Sequence, residues 1–300
     1  MTGQRRVTPA RLLLPLGVGT ALSLAGDATL YVVLPTQTTQ AGVALASVGI
    51  LLSANRAVRV LLNGPAGWIY DRLPRRPLVV GSLFVGALST AIYAATQGFW
   101  PLLAGRLLWG LAWSGIWVGG ATMVVDVTTV ENRGRYTGVY QAWFGSGVGL
   151  SAFLGGLLTD SVGYTMTMWI GAAVTAFGAL LALLYLPETL GQRGDAVAMP
   201  DESAALKNRE RRGLWRPVTL LGISRFAVAG VFSATVALLV EERLHAPALG
   251  LGLATLTGLL SAARTLVGLT TSPLVGRLSD WLGRRQSRSY PGPDPSQRRP

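Results

Sequence analysis

Trp100-Pro-Leu-Leu-Ala-Gly-Arg106-Leu-Leu-Trp-Gly-Leu-Ala-Trp113-Ser-Gly-Ile-Trp117-Val-Gly-Gly-Ala-Thr-Met-Val-Val125 runs for 26 residues with one charge, Arg106. A helix needs about 20 mostly apolar residues to cross a hydrocarbon core of about 30 Å, so this stretch reads as a complete transmembrane helix. Seven further stretches of the same kind fill the chain, and the eight expected spans are 12–34, 43–66, 78–96, 100–125, 136–158, 164–186, 217–240 and 249–275. Their Leu, Ala, Gly and Val content suits helices. The ten-residue alternation of barrel strands is absent. The expected fold class is an all-α membrane protein, a helical bundle of about eight transmembrane helices.

Composition agrees. Half of the 300 residues are AVILMFWYC and only 13% are charged, against about 25% in soluble domains, so the chain cannot cover a water-facing surface. Mean hydropathy is +0.43. A soluble globular fold is excluded. The lipid bilayer is the expected partner and nucleic acid is not, despite a net charge of +12. Zero Cys and a single His, His245, leave nothing for a disulfide scaffold or a thiolate metal site. No metal and no cofactor is expected.

The first span follows Arg5, Arg6 and Arg11 and passes Ser23-Leu24-Ala25, the outline of a cleavable signal peptide. The apolar run continues through Asp27 to Leu34, long enough to span, so it reads as a retained helix. Sidedness follows from Lys and Arg in short loops. Arg5, Arg6, Arg11, Arg72, Arg75, Arg76, Arg133, Arg135, Arg193, Lys207, Arg209, Arg211, Arg212 and Arg216 all fall on one side, against Arg243 alone on the other. The chain is therefore expected as a multi-pass protein of the cell (plasma or inner) membrane, with both termini cytoplasmic. Four segments are expected: a six-helix bundle over 1–189, a cytoplasmic linker over 190–213 with a short surface helix around 202–212, two helices of a second bundle over 214–285, and a polar, Pro-rich tail over 286–300.

The chain repeats itself. Gly49-Ile-Leu-Leu-Ser53-Ala-Asn-Arg56, with Pro65, Gly67 and Asp71-Arg-Leu-Pro-Arg75-Arg76 after it, returns as Thr257-Gly-Leu-Leu-Ser261-Ala-Ala-Arg264, then Pro273, Gly276 and Asp280-Trp-Leu-Gly-Arg284-Arg285. The offset is 208 residues for the first block and 209 for the second. Two homologous bundles that begin alike explain it, as in many secondary transporters.

On these residues the chain resembles the major facilitator superfamily. Gly67 to Arg76 match its signature loop between helices 2 and 3, and Gly276 to Arg285 a second copy. Arg106-x-x-x-Gly110, Glu131-Asn-Arg133-Gly134-Arg135, the Gly-rich fifth span and Leu186-Pro-Glu188-Thr also fit. The chain departs from the pattern at Pro74 and Trp281, and a polar tail stands where a ninth span would begin, the mark expected of a chain truncated or frame-shifted after its eighth span. The resemblance implies a secondary transporter that moves a small-molecule substrate by alternating access, with protons as coupling ion and efflux as one direction. The alternative is a truncated, transport-incompetent membrane protein acting at most as a partner subunit.

An ionisable group inside a bilayer costs about 2.5–3.5 kcal/mol or more, so each one is a candidate for function. Asp27 lies about 24 Å into span 1 and Arg106 about 9 Å into span 4, counted from opposite sides, depths that suit an ion pair. The resemblance implies a part for such a pair in proton or substrate coupling; the plainer reading is a tie between helices. Arg56, Arg59 and Asn63 fall on one face of span 2, so an Arg-lined interior favouring anionic or hydrogen-bonding substrates is one reading and snorkelling at the interface the other. Arg225 and Arg264 are the counterpart candidates in the second bundle. For the loops, the resemblance implies a gate built from Gly67, Asp71, Arg72, Arg75 and Arg76, with Asp126 as an expected partner of Arg75 or Arg76, and repeated in Gly276, Asp280, Arg284 and Arg285. Asp71 is also of a type to cap a helix N-terminus. Gly145, Gly149, Gly155 and Gly156 are expected to pack helices closely. Trp109, Trp113 and Trp117 form a stripe that is either core or cavity wall. There is no P-loop motif and no nucleophile–base pair, so neither an ATP-driven pump nor an enzyme is indicated.

Overall fold

A computed structural model describes residues 7–129, 132–192 and 252–268. The helices are α1 (Pro9–Val33), α2 (Thr38–Ala41), α3 (Leu45–Arg72), α4 (Arg75–Ala95), α5 (Phe99–Val127), α6 (Arg133–Val162) and α7 (Tyr164–Tyr185), followed by α8 (Leu253–Gly268). No strand occurs among the described residues. Six of the helices, α1 and α3 to α7, are long and apolar enough to cross a membrane, and they coincide with the first six expected spans. The linker from 193 on, the seventh span and the tail lie outside the described residues; of the eighth span, α8 is described.

The helices sit side by side in the order α6, α1, α7, α4, α5, α3. Small residues set how closely they approach, as expected where helices meet in lipid. A Cβ on Gly147 would strike the backbone of Ala21, one on Gly155 would strike Thr29, and one on Gly26 would strike Thr90. Between these contacts lie two apolar clusters, one around Leu16, Leu83, Trp109 and Tyr140 and the other around Leu30, Leu51, Tyr93 and Leu102. Gly163 alone joins α6 to α7 at φ 83, a left-handed conformation that side chains with a Cβ rarely adopt.

Helix α3 is longer than the expected span. It continues through Pro65 to Arg72, so Gly67, Asp71 and Arg72 lie on its last turns rather than in a loop. It stops where Pro74 disfavours helical backbone at the residue before it: Leu73 is extended, φ −110 and ψ 158, while its N–H still bonds Ile69 at 3.0 Å.

Helix α8 starts 208 residues after α3, the same offset as the sequence repeat. Its contact with the first six helices runs along α6. Gly156 abuts the Ala254 backbone, Gly258 abuts the Ala152 carbonyl, and Gly149 lies beside Thr265. Two faces of α6 are thus smooth, with Gly147 and Gly155 toward α1 and Gly149 and Gly156 toward α8.

Candidate functional site

Asp27 on α1 and Arg106 on α5 form an ion pair in the interior, Arg106 Nη1 donating to Asp27 Oδ1. Arg106 is 0% exposed and Asp27 5%. Asp27 sits about 9 Å before the end of α1 and Arg106 about 10 Å after the start of α5, counting 1.5 Å per residue, and those helix ends share one end of the bundle.

A buried pair is tolerable only when its remaining donors and acceptors are used. Arg106 Nε donates to the Leu51 carbonyl at 3.1 Å and Nη2 to that of Leu52 at 3.5 Å. Asn55 Nδ2 donates to Asp27 Oδ1 at 3.4 Å, and the Tyr31 hydroxyl lies 3.0 Å from both Asn55 Oδ1 and the Leu52 carbonyl oxygen. One guanidinium therefore ties α1, α3 and α5. The Tyr31 ring lies against two cations, with Arg106 Cζ 4.8 Å and Arg56 Cζ 5.2 Å from its centroid.

Arg59 joins the same region from α3. Its Cζ lies 5.3 Å from the centroid of a Trp113 ring, and its buried Nε has no hydrogen-bond partner among the described residues. Trp109, Trp113 and Trp117 stack along α5 at 6.3 and 5.7 Å, and Phe144 and Tyr140 of α6 close on them at 5.2–5.7 Å. The stripe thus faces protein between α5 and α6. Asn63, expected on the face of Arg56 and Arg59, is exposed. Arg264 on α8 is exposed too, and Arg225 lies outside the described residues.

At the basic end of the bundle, Arg75 Nε donates to Asp126 Oδ2 at 3.2 Å, both side chains being buried. Thr189 Oγ1 donates to the same oxygen at 3.0 Å. The carboxylate that caps α4 is Glu188. It accepts from the N–H groups of Arg75 and Arg76 at 3.0 Å each, and from those of Thr189 and Leu190 at 2.9 and 2.8 Å. Partial burial pushes its pKa upward, but these N–H bonds outweigh that and hold it below the ordinary carboxyl value. Arg76 donates to the Leu183 carbonyl. Asp71 and Arg72 are exposed, Arg72 lying over the Trp68 ring at 4.0 Å. The second loop copy, Gly276 to Arg285, lies outside the described residues.

At the opposite end, Asp160 of α6 caps α8. Its carboxylate accepts from Ala254 N at 3.3 Å, Thr255 N at 2.7 Å and Thr255 Oγ1 at 2.6 Å.

The family model of the Major Facilitator Superfamily matches residues 16–290. The chain belongs to the major facilitator superfamily. Among curated superfamily members, it is 28% identical over 190 residues to the inner membrane transport protein YajR of Escherichia coli K12, covering 61% of this chain and 41% of that one. It is 30% identical over 152 residues to the class C tetracycline resistance protein of Escherichia coli, covering 51% and 37%. The chain thus spans about two fifths of the length of these relatives. Among solved structures, a bacterial homologue of the human lysosomal transporter Spinster, inward-facing and unoccupied, superposes with TM-score 0.74 over 94% of this chain and 64% of that one at 18% identity. That likeness concerns the fold, and membership makes this a multi-pass membrane protein rather than an enzyme.

Within this superfamily chain, sequence reasoning missed Tyr31, Asn55, Glu188 as a cap, and Asp160. Two of them carried a signal. Tyr31 follows Asp27 by four residues and Asn55 precedes Arg59 by four, spacings that place each on the same helix face as a candidate already singled out. Glu188 and Asp160 bond across 112 and 95 residues, which no local pattern reports.

Proposed function

We propose that this chain acts in secondary transport of a small solute by alternating access, with Asp27 as the proton-coupling group and the Arg-rich end in the cytoplasm. The observation that carries the reading is the Asp27–Arg106 pair, a buried carboxylate joined to a guanidinium that also holds two carbonyls of α3. A proton taken by Asp27 neutralises the carboxylate and frees Arg106 Nη1, loosening the tie between α1, α3 and α5. A solute group can then compete for the guanidinium. Sequence likeness to tetracycline resistance proteins supports the outward direction. In the same reading the Gly67–Arg76 segment is a gate element, with Arg75 and Asp126 as its anchor inside the first bundle.

The test is solute-driven proton movement in proteoliposomes containing the pH dye pyranine. Wild-type chain is expected to move protons when solute is added. Asp27→Asn is expected to abolish proton movement while leaving a folded, monodisperse protein. Coupled flux in Asp27→Asn at the wild-type rate would overturn the assignment.

A further inference from the structure

Helix α3 is fastened to its neighbours at two places that differ in kind. Its first half is held at Leu51, Leu52 and Asn55: Arg106 donates to the first two carbonyls, and the Asn55 side chain bonds Asp27 and Tyr31. Its second half is held at Tyr70, which is 2% exposed. The Tyr70 hydroxyl donates to the Gly115 carbonyl at 2.9 Å, and a Cβ on Gly119 would strike the Tyr70 ring.

Between the two fastenings, over 56–69, no residue of α3 is buried as a whole. A Cβ on Gly64 or Gly67 would meet nothing within 4 Å among the described residues. Pro65 stands inside the helix, where it brings no N–H to the Leu61 carbonyl and its ring crowds that oxygen. Helices bend at such residues, and a hinge needs only a few positions that absorb the backbone change. On the first half, α3 meets α5 at Gly110, which has no side chain to interlock: a Cβ there would strike Val58 and the Asn55 carbonyl.

The two fastenings also answer differently to charge. The Asp27 carboxylate fixes both Arg106 Nη1 and Asn55 Nδ2, so a neutral Asp27 no longer anchors the guanidinium that in turn holds Leu51 and Leu52. The other fastening is built from a phenol, a backbone carbonyl and a glycine surface.

We propose that α3 is jointed at Gly64–Pro65, so that neutralising Asp27 swings the half carrying Leu51 to Asn55 while Tyr70 keeps the other half on α5. The joint stands on the geometry of α3; only its trigger rests on the transport reading above. At 1.5 Å per residue Ile50 lies about 22 Å from Pro65, so a bend of about 10° displaces it by about 4 Å. Trp68, on the held side, stays in place.

The chain has no cysteine, so spin labels can be placed at will on the full chain in detergent. Ile50→Cys with Met166→Cys on α7 reads the first half of α3, and Trp68→Cys with Leu184→Cys reads the second; all four sites are exposed. Double electron–electron resonance is expected to show the first pair shifted by about 4 Å when Asp27→Asn is introduced, and the second pair unchanged. Asn55→Leu cuts the same fastening from the α3 side and is expected to move the same pair. Gly64→Ala/Pro65→Ala, at two exposed positions, restores the missing N–H and is expected to keep the first pair at its wild-type distance in both backgrounds. Equal shifts in the two pairs, no shift with either Asp27→Asn or Asn55→Leu, or a shift that survives Gly64→Ala/Pro65→Ala each overturns the proposal. Proton movement in proteoliposomes separates the two claims. A first-pair shift without proton movement by the wild-type chain keeps the joint and counts against transport; proton movement with both pairs moving as one does the reverse.

Discussion

Thr255 is bonded twice to Asp160: its N–H and its hydroxyl both donate to the Oδ2 oxygen, at 2.7 and 2.6 Å. The carboxylate thereby satisfies donors that the first turn of a helix otherwise leaves open, at the positive end of the α8 dipole. Helices α6 and α8 are pinned at one end by this cap, and below it Gly156 and Gly258 let the two backbones touch.

The chain has no cysteine, so this contact can be tested without background. Asp160→Cys combined with Thr255→Cys is expected to form a disulfide on mild oxidation, read as protection of both thiols from a maleimide reagent. If the bundles rock apart at this end during transport, the oxidised protein loses flux and reductant restores it. Two thiols that remain reactive after oxidation would show that α6 and α8 do not meet here.

Arg106 and Asp27 give the second prediction. Arg106→Gln leaves a carboxylate buried and deprived of its ion partner, a change that costs about 3–5 kcal/mol in buried pairs. Thermal melts in detergent are expected to show losses for the single variants Arg106→Gln and Asp27→Asn, and for the double variant Asp27→Asn/Arg106→Gln, where both charges are gone, a loss smaller than their sum. Additive losses would mean that the two residues are not coupled.

How far this site could be read in advance depended on which groups were local. Six spans, the Asp27–Arg106 pair and Asp126 as a partner of Arg75 or Arg76 were legible because membrane depth follows from counting residues along a helix, and few charged groups share a depth; which of the two arginines it meets was left open. The cap on α4 was not. Asp71 stands next to α4 in sequence, yet α3 carries it on an exposed last turn, while Glu188 arrives at the α4 terminus from beyond α7. Asp71 was recognisable only as a residue of capping type, since nothing in a linear pattern says which helix end lies beside which carboxylate. The Trp stripe was ambiguous for a related reason: periodicity defines a face but not what that face meets, and here α6 supplies Phe144 and Tyr140.

Glu188 makes a pH-dependent prediction. Its folded pKa is lowered, so it stabilises the fold when ionised; that contribution is complete above the ordinary carboxyl value of 4.5 and fades as pH falls below it toward the folded value. Glu188→Gln is expected to destabilise the fold at pH 7 by an amount typical of a lost helix cap, about 1 kcal/mol, read as a lower melting temperature. At pH 4 the gap between wild type and Glu188→Gln should be smaller. A gap that stays constant across this range would remove the cap from any role in acid sensitivity.

Two glycines of α6 are expected to respond in opposite directions. A side chain on Gly155 would occupy the space of Thr29, whose hydroxyl lies 2.7 Å from the Ala25 carbonyl oxygen and 2.9 Å from that of Ser151. Gly155→Leu therefore has to part α1 from α6 and break that bridge, and it should lower the yield of monodisperse protein and the melting temperature. Gly138 is on the same helix, but a Cβ there meets nothing within 4 Å. Gly138→Ala changes only the backbone's freedom before folding and is expected to stabilise by up to about 1 kcal/mol. Helix propensity alone predicts gain at both positions. Loss at Gly155 with gain at Gly138 assigns the α1–α6 contact to close approach, and equal responses would assign it to propensity.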